Sequence, residues 1–403
     1  MKIIKRQQYL KTLWELKDKS FIKVVTGLRR AGKSTLLQTF CDELKSKVKK
    51  DRIQFYNLET KENQKFTNWQ IFYDEIIKKL VKNRLNYIFL DEIQSVNEFE
   101  RLLDALYVRK DIDLYVTGSN AFLLSSDLAT LLTGRSYEVN ILPFSLKEFA
   151  ETYPDGKTKA EIFADYFRFS SLPQAVELLH ENPALIPDYM RSVYVSILEK
   201  DIYPRRQIYR EQAFLNVRDY MMDNIGNQVS PYQISRTLAA NHKAVSDKTV
   251  EEFLRVLTDC FMLYRLKRFD VKGKQHLATL EKYYLTDLGF RHALLGKSEG
   301  DNRGFLLENL VFLELKRRNF QLYLGKVGGK EVDFVAQAAN GELEYYQVAY
   351  SVRDEKTLAR ELEVLKSIKD HNPKFILTLD EEEASWNGIK QINAINWFFK
   401  TSA

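Results

Sequence analysis

An α/β fold built on a parallel sheet, followed by a helical stretch and a second α/β region, is what this sequence predicts, and four observations lead to it. Residues 21–26 form a short β-branched and apolar run that suits a buried strand. A G-x-x-x-x-G-K-[ST] loop from Gly27 to Ser34 and an amphipathic stretch at 36–44 come next. About sixty residues further on, residues 86–94 (NYIFLDEIQ) read as a second apolar strand ending in two acids. Finally, 403 residues are too many for one ordinary core, so two or three domains are expected.

The loop is the element around which the rest is organised. A segment wrapping a polyphosphate needs several main-chain N–H groups pointing inward, and glycine accepts the required φ values without a Cβ clash. Gly27, Leu28, Arg29, Arg30, Ala31, Gly32, Lys33, Ser34 and Thr35 are therefore the expected cradle for ATP. Lys33 is expected to reach the β and γ phosphates, Ser34 to ligate Mg²⁺, and the N-terminus of the following helix to add a favourable dipole.

The remaining N-terminal elements follow from periodicity. Residues 3–19 carry a helical pattern through Leu10, Leu13, Trp14 and Leu16, expected on the outside of the first domain. Residues 52–58 read as a strand and 69–81 as a helix. A buried parallel strand ends in a polar site at its carboxyl edge, where open α/β sheets bind nucleotides. The 86–91 strand therefore presents Asp91 for the Mg²⁺ shell and Glu92 to orient and deprotonate a water. After a helix at 98–108, the strand at 113–120 ends in Thr117, Ser119 and Asn120. Asn120 is the preferred contact to the γ-phosphate or the lytic water, Ser119 competes with it, and an ordinary Gly-Ser-Asn turn is the alternative. A helix at 124–132 and a strand at 135–142 follow. Arg135, at that strand's entrance, either neutralises charge on the γ-phosphate of this subunit or a neighbour, or pairs with a surface acid. A short helix at 145–152 closes the first domain.

Composition narrows the class. With 45% hydrophobic and 29% charged residues the chain is of globular type, and its formal charge of +6 permits a polyanionic partner without requiring one. Cys41 and Cys260 lie far apart with no C-x-x-C spacing, which argues for two buried apolar residues rather than a zinc site or a disulfide framework. No window approaches the eighteen or so uncharged residues of a membrane span, and the N-terminus lacks a signal-peptide core, so the cytoplasm is the default expectation.

The 27–34 loop, Leu90-Asp91-Glu92, Thr117-Gly118-Ser119-Asn120, and Gly134-Arg135 ahead of Leu142-Pro143-Phe144-Ser145 together resemble the prokaryotic AAA-type P-loop ATPases whose C-terminal half is a domain of unknown function. Tyr194-Val195 and Lys200-Asp201-Ile202 extend the resemblance, which covers nearly the whole chain. It implies a P-loop NTPase sheet with the loop strand central and the acidic strand separated from it by one intervening strand.

The second half divides further. Residues 153–212 read as short helices broken by Pro173, Pro183 and Pro187, a subdomain expected to cover the nucleotide. Asp201 and Arg205-Arg206 either reach the ATP site or end a charged helix. Residues 213–297 look like a winged helix-turn-helix, with helices at 214–225, 231–240 and 247–260 and a hairpin at 262–285. The third helix exposes Asp247, Glu251, Glu252 and Asp259 beside only Lys248 and Arg255. Any contact to double-stranded DNA therefore falls to the hairpin's Lys267, Arg268, Lys272 and Lys274, and a packing or regulatory module is favoured over a DNA reader. Residues 298–403 follow an αβββαβ order that resembles the restriction-endonuclease-like fold. Asp333 and Gln347 fit metal-ligand positions and Glu308 with Asp333 is a candidate pair, but Ala349 stands at the lysine position. Nuclease activity is accordingly doubted, and a binding role is favoured.

The expectation is thus a Mg²⁺-dependent ATPase whose nucleotide state rearranges the C-terminal half. The rival classes are a nucleic-acid-binding module switched by ATP and an active metal-dependent nuclease. Arg135 leaves a homo-oligomer open.

Overall fold

The computed structural model describes residues 3–118, 133–154, 156–204, 208–270, 275–297 and 302–400. The chain separates into two compact units, Met1–Pro143 and Phe144–Ala403.

The first unit is a five-stranded parallel sheet in the order β2-β3-β4-β1-β5, formed by β1 (Ile22–Gly27), β2 (Ile53–Asn57), β3 (Asn86–Asp91), β4 (Ile112–Thr117) and β5 (Ser136–Ile141). β4 lies between β1 and β3, the single intervening strand that the resemblance implies. Alternation along the strands explains why both faces are covered. Ile88 and Leu90 join Phe72, Ile76, Leu102 and Leu106 of α3 (Trp69–Lys78) and α4 (Phe99–Tyr107) in one apolar cluster. Phe89, pointing the other way, stacks on Tyr115 at 4.7 Å, and Phe40 of α2 (Lys33–Lys45) lies 5.2 Å from Tyr115. The helix α1 (Gln7–Leu16) buries Tyr9, Leu10, Leu13 and Leu16. The helix expected at 124–132 lies outside the described residues.

One ion pair is sealed into this sheet. Lys23 of β1 is fully buried and donates to Asp113 of β4, whose other oxygen accepts from the Asp18 amide at 2.9 Å and the Tyr115 hydroxyl at 3.0 Å. Burial lowers the Lys23 pKa and raises that of Asp113, and the attraction between the two opposes both shifts.

The second compact unit starts at Phe144. The Phe144 amide donates to the Ser171 carbonyl at 2.9 Å and its carbonyl accepts from the Tyr166 hydroxyl at 3.1 Å, which ties the helix Leu146–Ala150 to this unit. Helices Lys159–Arg168, Pro173–Glu181 and Ile186–Ile197 follow, the last running into a π turn at Leu198–Ile202. Asp287 fastens them to the rest of the unit by accepting from the Ser171 amide at 2.8 Å and the Gly289 amide at 2.8 Å. Helices Glu211–Asp223, Pro231–Ala240 and Asp247–Asp259 precede a hairpin of β6 (Leu263–Asp270) and β7 (Gln275–Leu285). Lys272 and Lys274, like Arg205 and Arg206, lie outside the described residues.

That hairpin is not a free wing. β6 pairs in parallel with β8 (Gln321–Val327) through Arg268↔Leu324, Phe269↔Gly325 and Asp270↔Lys326. With β9 (Lys330–Gln337), β10 (Leu343–Val348), β11 (Lys374–Thr378), β12 (Ala384–Trp386) and β13 (Ile389–Asn393) it completes an eight-stranded sheet, β12-β13-β11-β10-β9-β8-β6-β7. The segments expected as separate modules at 213–297 and 298–403 therefore share one mixed sheet, because a strand edge left by β8 satisfies its main-chain groups on β6. The β12–β13 hairpin and the helix Ala394–Phe399 go unpredicted by the sequence, where charged residues at 381–383 interrupt any strand pattern. Both cysteines are buried and burial pushes their thiols up, Cys41 to about 11 and Cys260 to about 12.

Candidate functional site

β1 delivers the chain into the phosphate loop. Gly27 is required there by its neighbour as much as by any ligand: its φ is +138°, and a Cβ on it would stand 2.3 Å from the Ile141 carbonyl oxygen of β5. Arg30 (φ 70°) and Gly32 (φ 98°) continue the left-handed turn, and Gly32 caps α2. Lys33 is 4% exposed and donates to the carbonyls of Gly27 at 3.1 Å and Leu28 at 3.3 Å.

The ends of β3 and β4 close the other side. Ser34 Oγ donates to Asp91 Oδ1 at 3.0 Å, and Thr117 Oγ1 donates to the same oxygen at 2.5 Å. The Glu92 amide in turn donates to Thr117 Oγ1 at 3.0 Å. Asp91 Oδ2 is buried and has no hydrogen-bond partner among the described residues. Burial raises the Asp91 pKa, with the Thr117 and Ser34 hydroxyls and Lys33 opposing. Glu92 turns through φ 59°, a left-handed conformation that costs a non-glycine residue about 1 kcal/mol or more, and Gln94 holds its carboxylate from the side.

The structure thus brings Lys33, Ser34, Asp91 and Glu92 to one edge of the sheet. Arg135 is elsewhere. Its carbonyl accepts from the Ile22 amide at the start of β1, so the whole of β5, about 20 Å at a strand's rise, separates it from Ile141 beside Gly27. Its guanidinium pairs with Asp104 at 2.6 Å and lies 5.5 Å from the Tyr107 ring. Ser119 and Asn120 lie outside the described residues.

Two residues that the sequence reading left without a role belong to this edge. Thr117, seen only as one polar residue at a strand end, links Asp91 to Glu92. Arg6, ahead of α1, is buried and donates to the carbonyls of Ala31 at 3.2 Å, Leu142 at 2.8 Å and Pro143 at 3.2 Å. It braces the loop against the end of β5. No local pattern distinguishes Arg6 from the other basic residues of the N-terminal segment.

The set can grip a polyphosphate through loop amides and an ammonium, and beside it offers a hydroxyl and a carboxylate with a buried oxygen unmatched among the described residues. The loop strand β1 is not the middle one of five but lies between β4 and the edge strand β5; a loop of this kind between β1 and α2, with β4 separating β1 from β3, defines a P-loop NTPase domain of the AAA type. A family profile described as an AAA domain matches residues 19–150, and one described as a domain of unknown function matches 160–301. An uncharacterised protein of Haemophilus influenzae is 34% identical over 404 residues, covering 99% of both chains. An uncharacterised protein of Methanocaldococcus jannaschii is 29% identical over 371 residues, covering 87% of this chain and 79% of the other. Among solved structures a Walker-type ATPase of Pyrococcus abyssi aligns with TM-score 0.49 and 17% identity over 73% of this chain and 96% of that one. The chain belongs to the family of AAA-type P-loop ATPases that carry a C-terminal domain of unknown function. No helix among the described residues is long and apolar enough to cross a membrane.

Proposed function

We propose that the first unit binds ATP with Mg²⁺ and hydrolyses it, and that the nucleotide state changes the arrangement of the C-terminal half. The observation that carries this reading is the buried Asp91 Oδ2, without a hydrogen-bond partner among the described residues, next to the Ser34 hydroxyl at the edge where Lys33 lies. A buried carboxylate oxygen left unmatched costs about 1–3 kcal/mol, and a hard divalent cation is the ligand that such an oxygen and a hydroxyl suit. Ser34 and Asp91 would hold Mg²⁺, which when bound supplies charge neutralisation on the β and γ phosphate oxygens.

Residues 27–35 wrap the phosphates, and Lys33 exchanges carbonyl partners for phosphate oxygens. Glu92, its main chain fixed by Thr117, orients the water and takes its proton. Asn120 contacts the γ-phosphate or that water. Arg135, at the opposite end of β5, serves a nucleotide only when contributed by a neighbouring copy.

Phosphate release from the purified chain and from Lys33→Ala tests the proposal. Release by the wild type and a fall of about 100-fold or more in the variant is expected, as for loss of a charge-stabilising group. Equal rates, or none in the wild type, reject it.

For the C-terminal half, a packing or regulatory winged-helix module is supported over a DNA reader. The groove between the helix Asp247–Asp259 and the hairpin, about 810 Å³, is lined by Lys248, Arg255 and Arg265 but also by Glu251, Glu252 and Glu281. Such a balance does not attract phosphate. A salt-dependent shift of a DNA duplex, weakened by changing Lys272 and Lys274, would favour the reader instead.

A further inference from the structure

The second unit contains a buried charge cluster that the ATPase reading does not use. Lys282 of β7 has a side chain only 3% exposed, and its Nζ lies 2.8 Å from Glu308 Oε1, 2.5 Å from Glu331 Oε1 and 3.6 Å from Asp333 Oδ1. Glu308 comes from the helix Arg303–Arg317, whereas Glu331 and Asp333 are two apart on β9 and so share a face. The acids have further partners in the protein. Glu308 Oε1 also accepts from the Tyr284 hydroxyl at 2.6 Å, Asp333 Oδ2 accepts from the Val348 amide at 2.8 Å, and Glu331 Oε2 accepts from Gln228. Gly226, at φ +74°, passes over the cluster, where a Cβ would stand 3.6 Å from the Glu308 carboxylate.

The positions singled out by the nuclease-like resemblance are rearranged accordingly. Asp333 and Glu308 do converge, but on an ammonium. Gln347 is not aimed at them: its Oε1 accepts from the Asp333 amide at 2.7 Å and its Nε2 donates to Glu361 at 2.7 Å. Ala349, at the expected lysine position, lies in an apolar cluster with Val352 and Leu365. Among the described residues no group of three His, Cys, Asp or Glu side chains is arranged to hold a metal.

We propose that Lys282 is the resident cation of this carboxylate cage, a tethered ammonium in the place where the same oxygens would otherwise gather a divalent ion. The cage is thereby a latch between the 263–285 hairpin and the helix and strand that supply its acids, rather than a hydrolytic centre. The chemistry is that of hard oxygen donors, which accept an ammonium or a small divalent cation but cannot be left buried and uncompensated. Burial drives Glu308 and Asp333 above the ordinary carboxylate value. It also works against the charge on Lys282, yet the three carboxylates prevail and hold that lysine above its ordinary value.

The test is Mn²⁺ uptake by the nucleotide-free full chain, followed by the loss of the free-ion EPR signal. Lys282→Met is expected to take up one Mn²⁺ more per chain than the wild type; Lys282→Met/Asp333→Asn returns to the wild-type count, and Lys282→Arg, which keeps a cation in the cage, matches the wild type. A folded Lys282→Met with no added uptake overturns the proposal, as does a wild type that loses a bound Mn²⁺ on Asp333→Asn alone. Should Lys282→Met not fold, the wild type still decides. Lys282 should resist amine acetylation, read by mass spectrometry, equally with and without millimolar Mn²⁺, and labelling that rises with Mn²⁺ would show that the ammonium is exchanged for the metal.

Discussion

Lys33 and Lys282 are both buried, yet their surroundings differ in kind. Lys33 heads a helix and donates to two main-chain carbonyls, beside an aspartate with one oxygen unmatched among the described residues. Lys282 of β7 sits among three carboxylates, of which Glu308 also accepts from the Tyr284 hydroxyl and Asp333 from the Val348 amide. A main-chain carbonyl can be exchanged for a phosphate oxygen when a polyphosphate arrives, because a full negative charge attracts an ammonium more strongly than a carbonyl dipole does. An ammonium inside three carboxylates would have to give up bonds to full charges to leave. The first arrangement suits a site that receives a ligand; the second suits one whose ligand is part of the chain.

The comparison can be broken at several points. The largest stability effect is expected from Lys282→Ala, which strands buried carboxylates and should cost about 3–5 kcal/mol in urea unfolding followed in the second unit. A cost under about 1 kcal/mol, the range of an exposed ion pair, would remove the distinction between the two lysines. Next, Glu92→Gln should slow phosphate release about 100-fold while leaving ATP affinity within a few-fold by calorimetry, since it removes a proton acceptor and not a phosphate contact. Arg6→Ala should cost about 1.5–3 kcal/mol of stability, measured by denaturant unfolding, through loss of charge-assisted bonds to the Ala31, Leu142 and Pro143 carbonyls. ATP affinity should fall with it, because the loop loses its brace. The smallest effect belongs to Thr117→Val, about 1 kcal/mol in the same unfolding assay. Its functional signature is a slower turnover with unchanged ATP affinity, because Glu92 loses the hydroxyl that accepts its amide.

Much of the first unit was legible from local pattern. The order of β1, loop and α2 and the apolar β3 ending in Asp91 follow from period and motif, whereas the single strand between β1 and β3 was implied by the family resemblance. Arg135 shows where pattern stops. A strand entrance and a strand exit read alike in sequence, and only the parallel register, which sets Ser136 level with Ile22, puts this arginine at the far edge from Gly27. Gly27 carries a related lesson: the sequence justifies it by the phosphate, and packing justifies it again by the Ile141 carbonyl. In the second unit the helices Pro231–Ala240 and Asp247–Asp259 were readable from their apolar faces, whereas the joining of β6 to β8 was not, since strand pairing between distant segments leaves no local mark.

What the sequence determined by itself is the phosphate-binding segment, because a loop that wraps an anion must use consecutive residues and therefore appears as a motif. What tertiary structure decided is everything assembled from separated elements: Arg6 under the loop, Thr117 between two acids, and above all Lys282 among Glu308, Glu331 and Asp333. A buried charge has to be answered by whichever side chain the fold brings within reach, and that choice is made by packing in space rather than by spacing along the chain.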